Sequence, residues 1–126
     1  MNASPKKRVL VVDDMGSIRS VVKTAICSEC PCSVDEAING DDAVVRLEKG
    51  TYDLVICDWD MPKRDGLGVL RHVREVRQDF MLPFIMLTGN AQADRVREAI
   101  DLHVTDYIAK PFRPETLLKK VRPFLL

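Results

Sequence analysis

Five polar side chains of the types that serve phosphate chemistry each follow a short apolar run. These runs lack polar alternation, which is typical of strands covered on both faces, so each polar residue is expected where a strand opens into a loop. In open α/β sheets ligands bind at the carboxyl ends of the strands, so the five side chains are expected to share one site. They are Asp13, Asp14, Asp58, Thr88 and Lys110.

The three aspartates predict a metal site. Carboxylates packed within a few ångströms of one another raise each other's pKa unless a cation lies among them. Hard oxygen ligands at a phosphate site favour Mg²⁺, which binds few carboxylates and keeps several waters. Asp13, Asp14 and Asp58 are therefore the predicted ligands.

Asp58 is also a candidate nucleophile, because a carboxylate can attack phosphorus and form an aspartyl phosphate. This chemistry needs little more than alignment and charge neutralisation. Lys110 would neutralise the phosphoryl oxygens and Thr88 would donate its hydroxyl. Backbone N–H groups near Trp59 and Gly89 would complete the anion site.

Apolar runs and helical patterns alternate along the chain. Five strands and five helices in this order predict right-handed crossovers and a doubly wound α/β fold with a parallel sheet between helix layers. The predicted strands are residues 8–12, 33–37, 54–57, 84–87 and 107–109.

Capping residues and apolar spacing place the helices. Ser17 is the expected N-cap of the first helix, and Asp41 or Asp42 that of the second. Val76 of the third helix and Ile100 of the fourth are expected to face the core.

Composition predicts one compact domain, since 126 residues with 46% hydrophobic content can bury a substantial core. Nineteen basic and nineteen acidic residues cancel, which argues against binding to DNA or to an anionic membrane by charge alone. No apolar stretch suits a membrane span or a secretory signal, so a cytoplasmic protein is expected. Cys27, Cys30 and Cys32 could be metal ligands, but no second ligand pair completes a zinc site, and small, partly buried residues at a helix end are the simpler interpretation.

The ordered set of motifs resembles the receiver domain of response regulators, the CheY-like family of two-component signalling. The motifs are VVDD, D-W-D-M-P-K-R-D-G around Asp58, T-G after the fourth strand and K-P-F after the fifth. The resemblance implies a flavodoxin-like (βα)5 fold with strand order 2-1-3-4-5. It also implies a flexible segment over residues 1–7 and a receiver domain over residues 8–126.

The family pattern implies that Asp58 accepts a phosphoryl group from a sensor histidine kinase. Mg²⁺ would be bound by Asp13, Asp14, Asp58 and the main-chain carbonyl of Asp60. Such a chain is a signalling switch rather than an enzyme. With no DNA-binding module after the fifth helix, it is expected to be a single-domain monomer that signals by protein docking, in the manner of chemotaxis proteins.

The resemblance also implies how the signal leaves the site. The hydroxyl of Thr88 would be drawn to the phosphoryl group while Tyr107 turns inward. The partner surface would comprise residues Asn90 to Arg97, Tyr107, and Phe112 to Lys120. A cis peptide bond is expected between Lys110 and Pro111.

Three alternatives stay open. The chain could be an intermediate in a phosphorelay, or an adaptor that binds without being phosphorylated. It could also be a phosphatase of the haloacid dehalogenase type, since Asp58 and Asp60 form a D-x-D motif. In that family, however, the D-x-D strand comes first and the acidic pair last.

Overall fold

The computed structural model describes residues 6–90 and 92–126, which form one parallel sheet with helices on both faces. The strand order is β2-β1-β3-β4-β5, which confirms the predicted doubly wound fold. The strands are β1 (Lys7–Val12), β2 (Cys32–Ala37), β3 (Leu54–Asp58), β4 (Phe84–Thr88) and β5 (Asp106–Ala109). The helices are α1 (Gly16–Cys27), α2 (Gly40–Lys49), α3 (Gly66–Arg71), α4 (Ala93–Asp101) and α5 (Pro114–Leu125).

The sheet separates two hydrophobic clusters. Side chains of α1 and α5 pack on one face, and those of α2, α3 and α4 pack on the other. All five residues of β3 and all five of β4 are buried. This double cover explains why these strands read as continuous apolar runs, and it rigidly fixes the polar residues at their ends.

The first two helices begin differently from the prediction. Met15, not Ser17, is the N-cap of α1, and it makes no side-chain capping bond. In α2 the cap is Asn39, whose side-chain oxygen accepts from the N–H of Asp42 at 2.7 Å. Asp42 in turn accepts from the N–H of Ile38 at 3.0 Å. The expected cap Asp42 therefore occupies the third helical position, and its side chain accepts from the residue before the N-cap.

Two expected core residues are exposed. Val76 is 68% exposed and Ile100 is 60% exposed. After α3 the chain forms a π-helical turn over His72–Val76. Because a π turn adds a residue per turn, it rotates Val76 off the apolar stripe and brings Arg74 inward.

At the amino terminus the described chain begins one residue before β1. Residues 1–5 of the predicted flexible segment lie outside the described residues, whereas Lys7 already belongs to β1 and pairs with Cys32 of β2. The peptide bond between Lys110 and Pro111 is cis, as expected. None of the described helices has the length and apolar character needed to cross a membrane.

Candidate functional site

Four strands bring the predicted site residues to the carboxyl edge of the sheet. Asp13 follows β1, Asp58 ends β3, Thr88 ends β4 and Lys110 follows β5. Since β1 and β3 are neighbours in the sheet, Asp13 and Asp58 lie side by side.

The three aspartates form a compact acidic cluster. Carboxylate oxygens of Asp13, Asp14 and Asp58 all lie within 4.8 Å of one another. Asp13 is fully buried and Asp58 is 4% exposed, whereas Asp14 faces solvent. Buried carboxylates open to water on one side fit a hard divalent cation such as Mg²⁺.

The ammonium group of Lys110 is the positive charge that contacts the acidic cluster. Its Nζ lies 3.0 Å from a carboxylate oxygen of Asp13 and 3.0 Å from one of Asp58. Burial alone would lower the pKa of Lys110, but the hydrogen bonds and charges of Asp58 and Asp13 outweigh burial and raise that pKa. One ammonium group faces three carboxylates, so the site retains an excess of negative charge.

The excess of negative charge also affects the pKa of Asp58. Burial raises the pKa of the Asp58 carboxyl, the negative charge of Asp13 raises it further, and the hydrogen bond from Lys110 only partly opposes the rise. A bound divalent cation would remove this penalty.

The two N–H groups that follow Asp58 have different partners. The N–H of Trp59 donates to the carbonyl of Leu87 at 2.9 Å and so extends the sheet. The N–H of Asp60 interacts instead with the Asp58 carboxylate and lowers its pKa. The N–H of Trp59 is therefore already paired within the sheet. Gly89, the other predicted backbone donor, is exposed directly after β4.

Thr88 is buried and its hydroxyl is already paired. It donates to the carbonyl of Asn90 at 2.9 Å and accepts from the N–H of Asn90 at 3.0 Å. A hydroxyl can rotate, so these local bonds can be exchanged for a ligand at Asp58. Tyr107 is 41% exposed on the outer side of β5.

Gly66 is a positioning residue that the motif alone does not explain. A Cβ atom there would lie 2.4 Å from the carbonyl oxygen of Asp58 and 2.8 Å from the Cα of Trp59. Its N–H also donates to the carbonyl of Trp59 at 2.9 Å. Only glycine lets the start of α3 approach the backbone of Asp58 so closely.

The cysteines do not assemble into a metal site within the described part of the chain. The cluster of potential metal ligands found there is that of the three aspartates. Cys27 is exposed, while Cys30 and Cys32 are buried. Burial is the main cause that raises the pKa of Cys32 to about 12. Cys27 is the last residue of α1, as the interpretation of residues at a helix end expects, whereas Cys32 begins β2.

Arg95 is a neighbour of the site that sequence analysis missed. Its guanidinium lies 4.4 Å from the centre of the Trp59 ring and forms an ion pair with the Asp60 carboxylate. Trp59 is 4% exposed, so its ring is buried beneath α4.

The family model for the response regulator receiver domain matches residues 9–122 of this chain. The chain belongs to this family. The match begins within β1, covers the other four strands and includes the site residues described above, so the predicted resemblance is confirmed. Receiver domains are signalling switches rather than classical enzymes, and family membership leaves the dehalogenase-type phosphatase without support.

Relatives of this receiver include chemotaxis proteins and a transcriptional regulator. It is 34% identical over 114 residues to the chemotaxis protein CheY-3 of Vibrio cholerae, covering 90% of this chain and 88% of CheY-3. It is 41% identical over 115 residues to the transcriptional regulatory protein DltR of Streptococcus agalactiae, covering 91% of this chain. The chain spans only 50% of DltR.

Solved structures agree with the fold. The chemotaxis response regulator CheY4 of Vibrio cholerae superposes with a TM-score of 0.87 at 32% identity. The superposition covers 96% of this chain and 100% of CheY4. Membership of the family implies a histidine kinase and a downstream target as partners, and Mg²⁺ as the usual metal.

Proposed function

We propose that this receiver is a phosphorylation-activated switch in which Asp58 accepts a phosphoryl group from a sensor histidine kinase in the cytoplasm. The observation that carries the proposal is the 3.0 Å contact between Lys110 Nζ and the Asp58 carboxylate, inside a cluster of three acids of which Asp13 and Asp58 are buried. This arrangement aligns a carboxylate nucleophile with groups that neutralise a phosphoryl anion.

The transfer uses the residues in distinct roles. A carboxylate oxygen of Asp58 forms a bond to phosphorus as the bond from phosphorus to the donor's imidazole nitrogen breaks, and the electron pair stays on that nitrogen. Asp13, Asp14, Asp58 and the main-chain carbonyl of Asp60 would hold Mg²⁺, which would supply positive charge to neutralise phosphoryl oxygens. Lys110 contributes its positive charge, and the N–H groups of Asp60 and Gly89 donate to the same oxygens.

The change then spreads from Thr88. Its hydroxyl leaves Asn90 and donates to the phosphoryl group, which moves the β4–α4 connection, and Tyr107 turns inward beside it. A phosphoryl group adds about −1.5 to −2 charge, enough to pull a nearby donor. The remodelled surface comprises residues Asn90 to Arg97, Tyr107, and Phe112 to Lys120, and binds a downstream protein.

Among the possible roles of this receiver, we favour signalling of the chemotaxis type. CheY-3 is matched over 88% of its length, and the segment D-W-D-M-P and Tyr107 resemble that type. In this role the protein acts as a monomer that docks on a protein target rather than on DNA. Two further roles are an intermediate in a phosphorelay and, because of the similarity to DltR, the receiver of a transcriptional regulator.

Incubation with acetyl phosphate and Mg²⁺ tests the switch. Intact-mass spectrometry should show one added phosphoryl group on the wild type and none on Asp58→Asn or on the wild type in EDTA. Absence of the adduct on the wild type, or an equal adduct on Asp58→Asn, would sink the proposal. A pull-down comparing phosphorylated and unphosphorylated protein then separates the roles by the partner retained.

A further inference from the structure

Arg95 links the first turn of α4 to the loop that follows the nucleophile. Its guanidinium stacks over the Trp59 ring at 4.4 Å and pairs with the Asp60 carboxylate. The side chain of Arg95 is 21% exposed and that of Asp60 is 59% exposed. An ion pair in full solvent would be weak, but the buried ring beneath Arg95 excludes water from one side of this pair.

The backbone of Asp60 lies next to the Asp58 carboxylate, whereas the side chain of Asp60 is held away from it. Its N–H interacts with the Asp58 carboxylate, two residues earlier. Its own carboxylate is held on α4 by Arg95. If the Asp60 carboxylate were free, rotation about its side-chain bonds would bring a proton acceptor close to a phosphoryl group on Asp58.

Such an acceptor would promote loss of the phosphoryl group. In hydrolysis the oxygen of water forms a bond to phosphorus, and the bond between phosphorus and the Asp58 oxygen breaks. The Asp58 carboxylate keeps that electron pair, inorganic phosphate leaves, and the proton lost by water passes to the acceptor. The Asp60 carboxylate would take this proton only when it is released from Arg95.

We propose that Arg95 is a positioning residue that holds the Asp60 carboxylate on α4 and thereby prolongs the life of the aspartyl phosphate. The inference rests on the proposed function, since it concerns the phosphorylated form. It also makes the lifetime of the signal depend on the position of α4, because a partner that moves Arg95 would release Asp60.

The test measures the decay of the phosphorylated protein after acetyl phosphate is removed, in Mg²⁺. Arg95→Ala should shorten the lifetime by about tenfold, less than the ~10² or more that a fully positioned base supplies. Arg95→Lys keeps the charge and should restore most of the lifetime. Arg71→Ala, which removes an exposed arginine of α3, is the matched control and should decay as the wild type does.

The double variant Arg95→Ala/Asp60→Asn separates positioning from general loosening of α4. If Arg95 acts through the Asp60 carboxylate, the double variant should decay at the rate of Asp60→Asn alone. An equal tenfold effect of Arg95→Ala in the Asp60→Asn background, or no effect in the wild-type background, would overturn the inference. A wild type that takes up no phosphoryl group would instead refute the proposed function and the inference with it.

Discussion

The two ends of the sheet both bury charge, but they neutralise it in opposite ways. At the carboxyl end, Asp13, Asp14 and Asp58 face the single ammonium group of Lys110. At the amino end, Arg74 is 2% exposed and its guanidinium donates to main-chain carbonyls at 2.8 to 3.3 Å. These carbonyls belong to Asp79, Leu82, Leu102 and His103.

The acceptors explain the difference. Arg74 joins the loop before β4 to the loop before β5 through neutral groups, and all three of its guanidinium nitrogens have partners. These bonds form without any ligand. The acidic cluster has more negative charge than Lys110 can balance, and an added cation would balance the remainder. The buried arginine at the amino end therefore stabilises the fold. The acidic cluster at the carboxyl end lowers stability but forms a site that can bind a cation.

The largest effect should come from the amino end. Arg74→Met leaves several buried carbonyls without donors and should lower the free energy of unfolding by about 3 to 5 kcal/mol. The measurement is urea denaturation followed by circular dichroism. Arg71→Met is the matched control: Arg71 is exposed and pairs with Glu75 four residues on, so the loss should be about 0.5 kcal/mol or less.

If Arg74→Met proves too unstable to purify, Arg74→Lys keeps one donor group and should lose only part of that free energy. A buried carbonyl left without a donor costs about 1 to 3 kcal/mol. A free energy of unfolding for Arg74→Met within about 1 kcal/mol of the wild type would therefore show that water replaces the guanidinium. The two ends of the sheet would then no longer differ in the way described.

The carboxyl end should respond with the opposite sign. In EDTA at pH 7, Asp58→Asn should raise the free energy of unfolding by about 1 kcal/mol, because it removes a buried charge whose pKa is raised by burial and by Asp13. Urea denaturation again measures it. Glu98→Gln, on the exposed side of α4, is the control for removing a negative charge and should change little. A less stable Asp58→Asn in EDTA would contradict the interpretation.

The pH dependence of this gain follows from the direction of the shift. The pKa of Asp58 in the folded state lies above its ordinary value of 3.8, so the folded state holds that proton more tightly than the unfolded chain. The resulting stabilisation is fully present below 3.8 and is lost as pH rises through the raised pKa. The advantage of Asp58→Asn should therefore be full at pH 7 and shrink as the pH is lowered.

The contrast between the two ends also separates what the sequence predicts from what it does not. Asp13, Asp58, Thr88 and Lys110 were predictable because each follows an apolar run, and parallel strands bring their carboxyl ends to one edge. Periodicity and strand order carry that information, and the predicted topology is confirmed.

Arg74 could not be found in this way. Its burial coincides with the π-helical turn over His72–Val76, which departs from the regular helical period, and its partners are main-chain carbonyls with no sequence signature. Arg95 was missed for a related reason. Its contacts with Trp59 and Asp60 join residues 36 and 35 positions apart, and α4 carries many other charges. The spacing of charged side chains along a helix indicates which face is exposed, but it does not indicate which distant residues those side chains contact.

The smallest expected effect distinguishes the two ends by their response to salt. Raising NaCl from about 0.1 M to about 1 M shortens the screening length from ~10 Å to ~3 Å. The gain from Asp58→Asn, measured in EDTA as a difference from the wild type at each salt concentration, should fall by about 0.3 kcal/mol because repulsion among the carboxylates is screened through their open side. The loss from Arg74→Met should stay constant, since the acceptors of Arg74 are neutral and buried. An equal salt dependence for both variants would mean that charge repulsion is not what distinguishes the acidic cluster from the buried arginine.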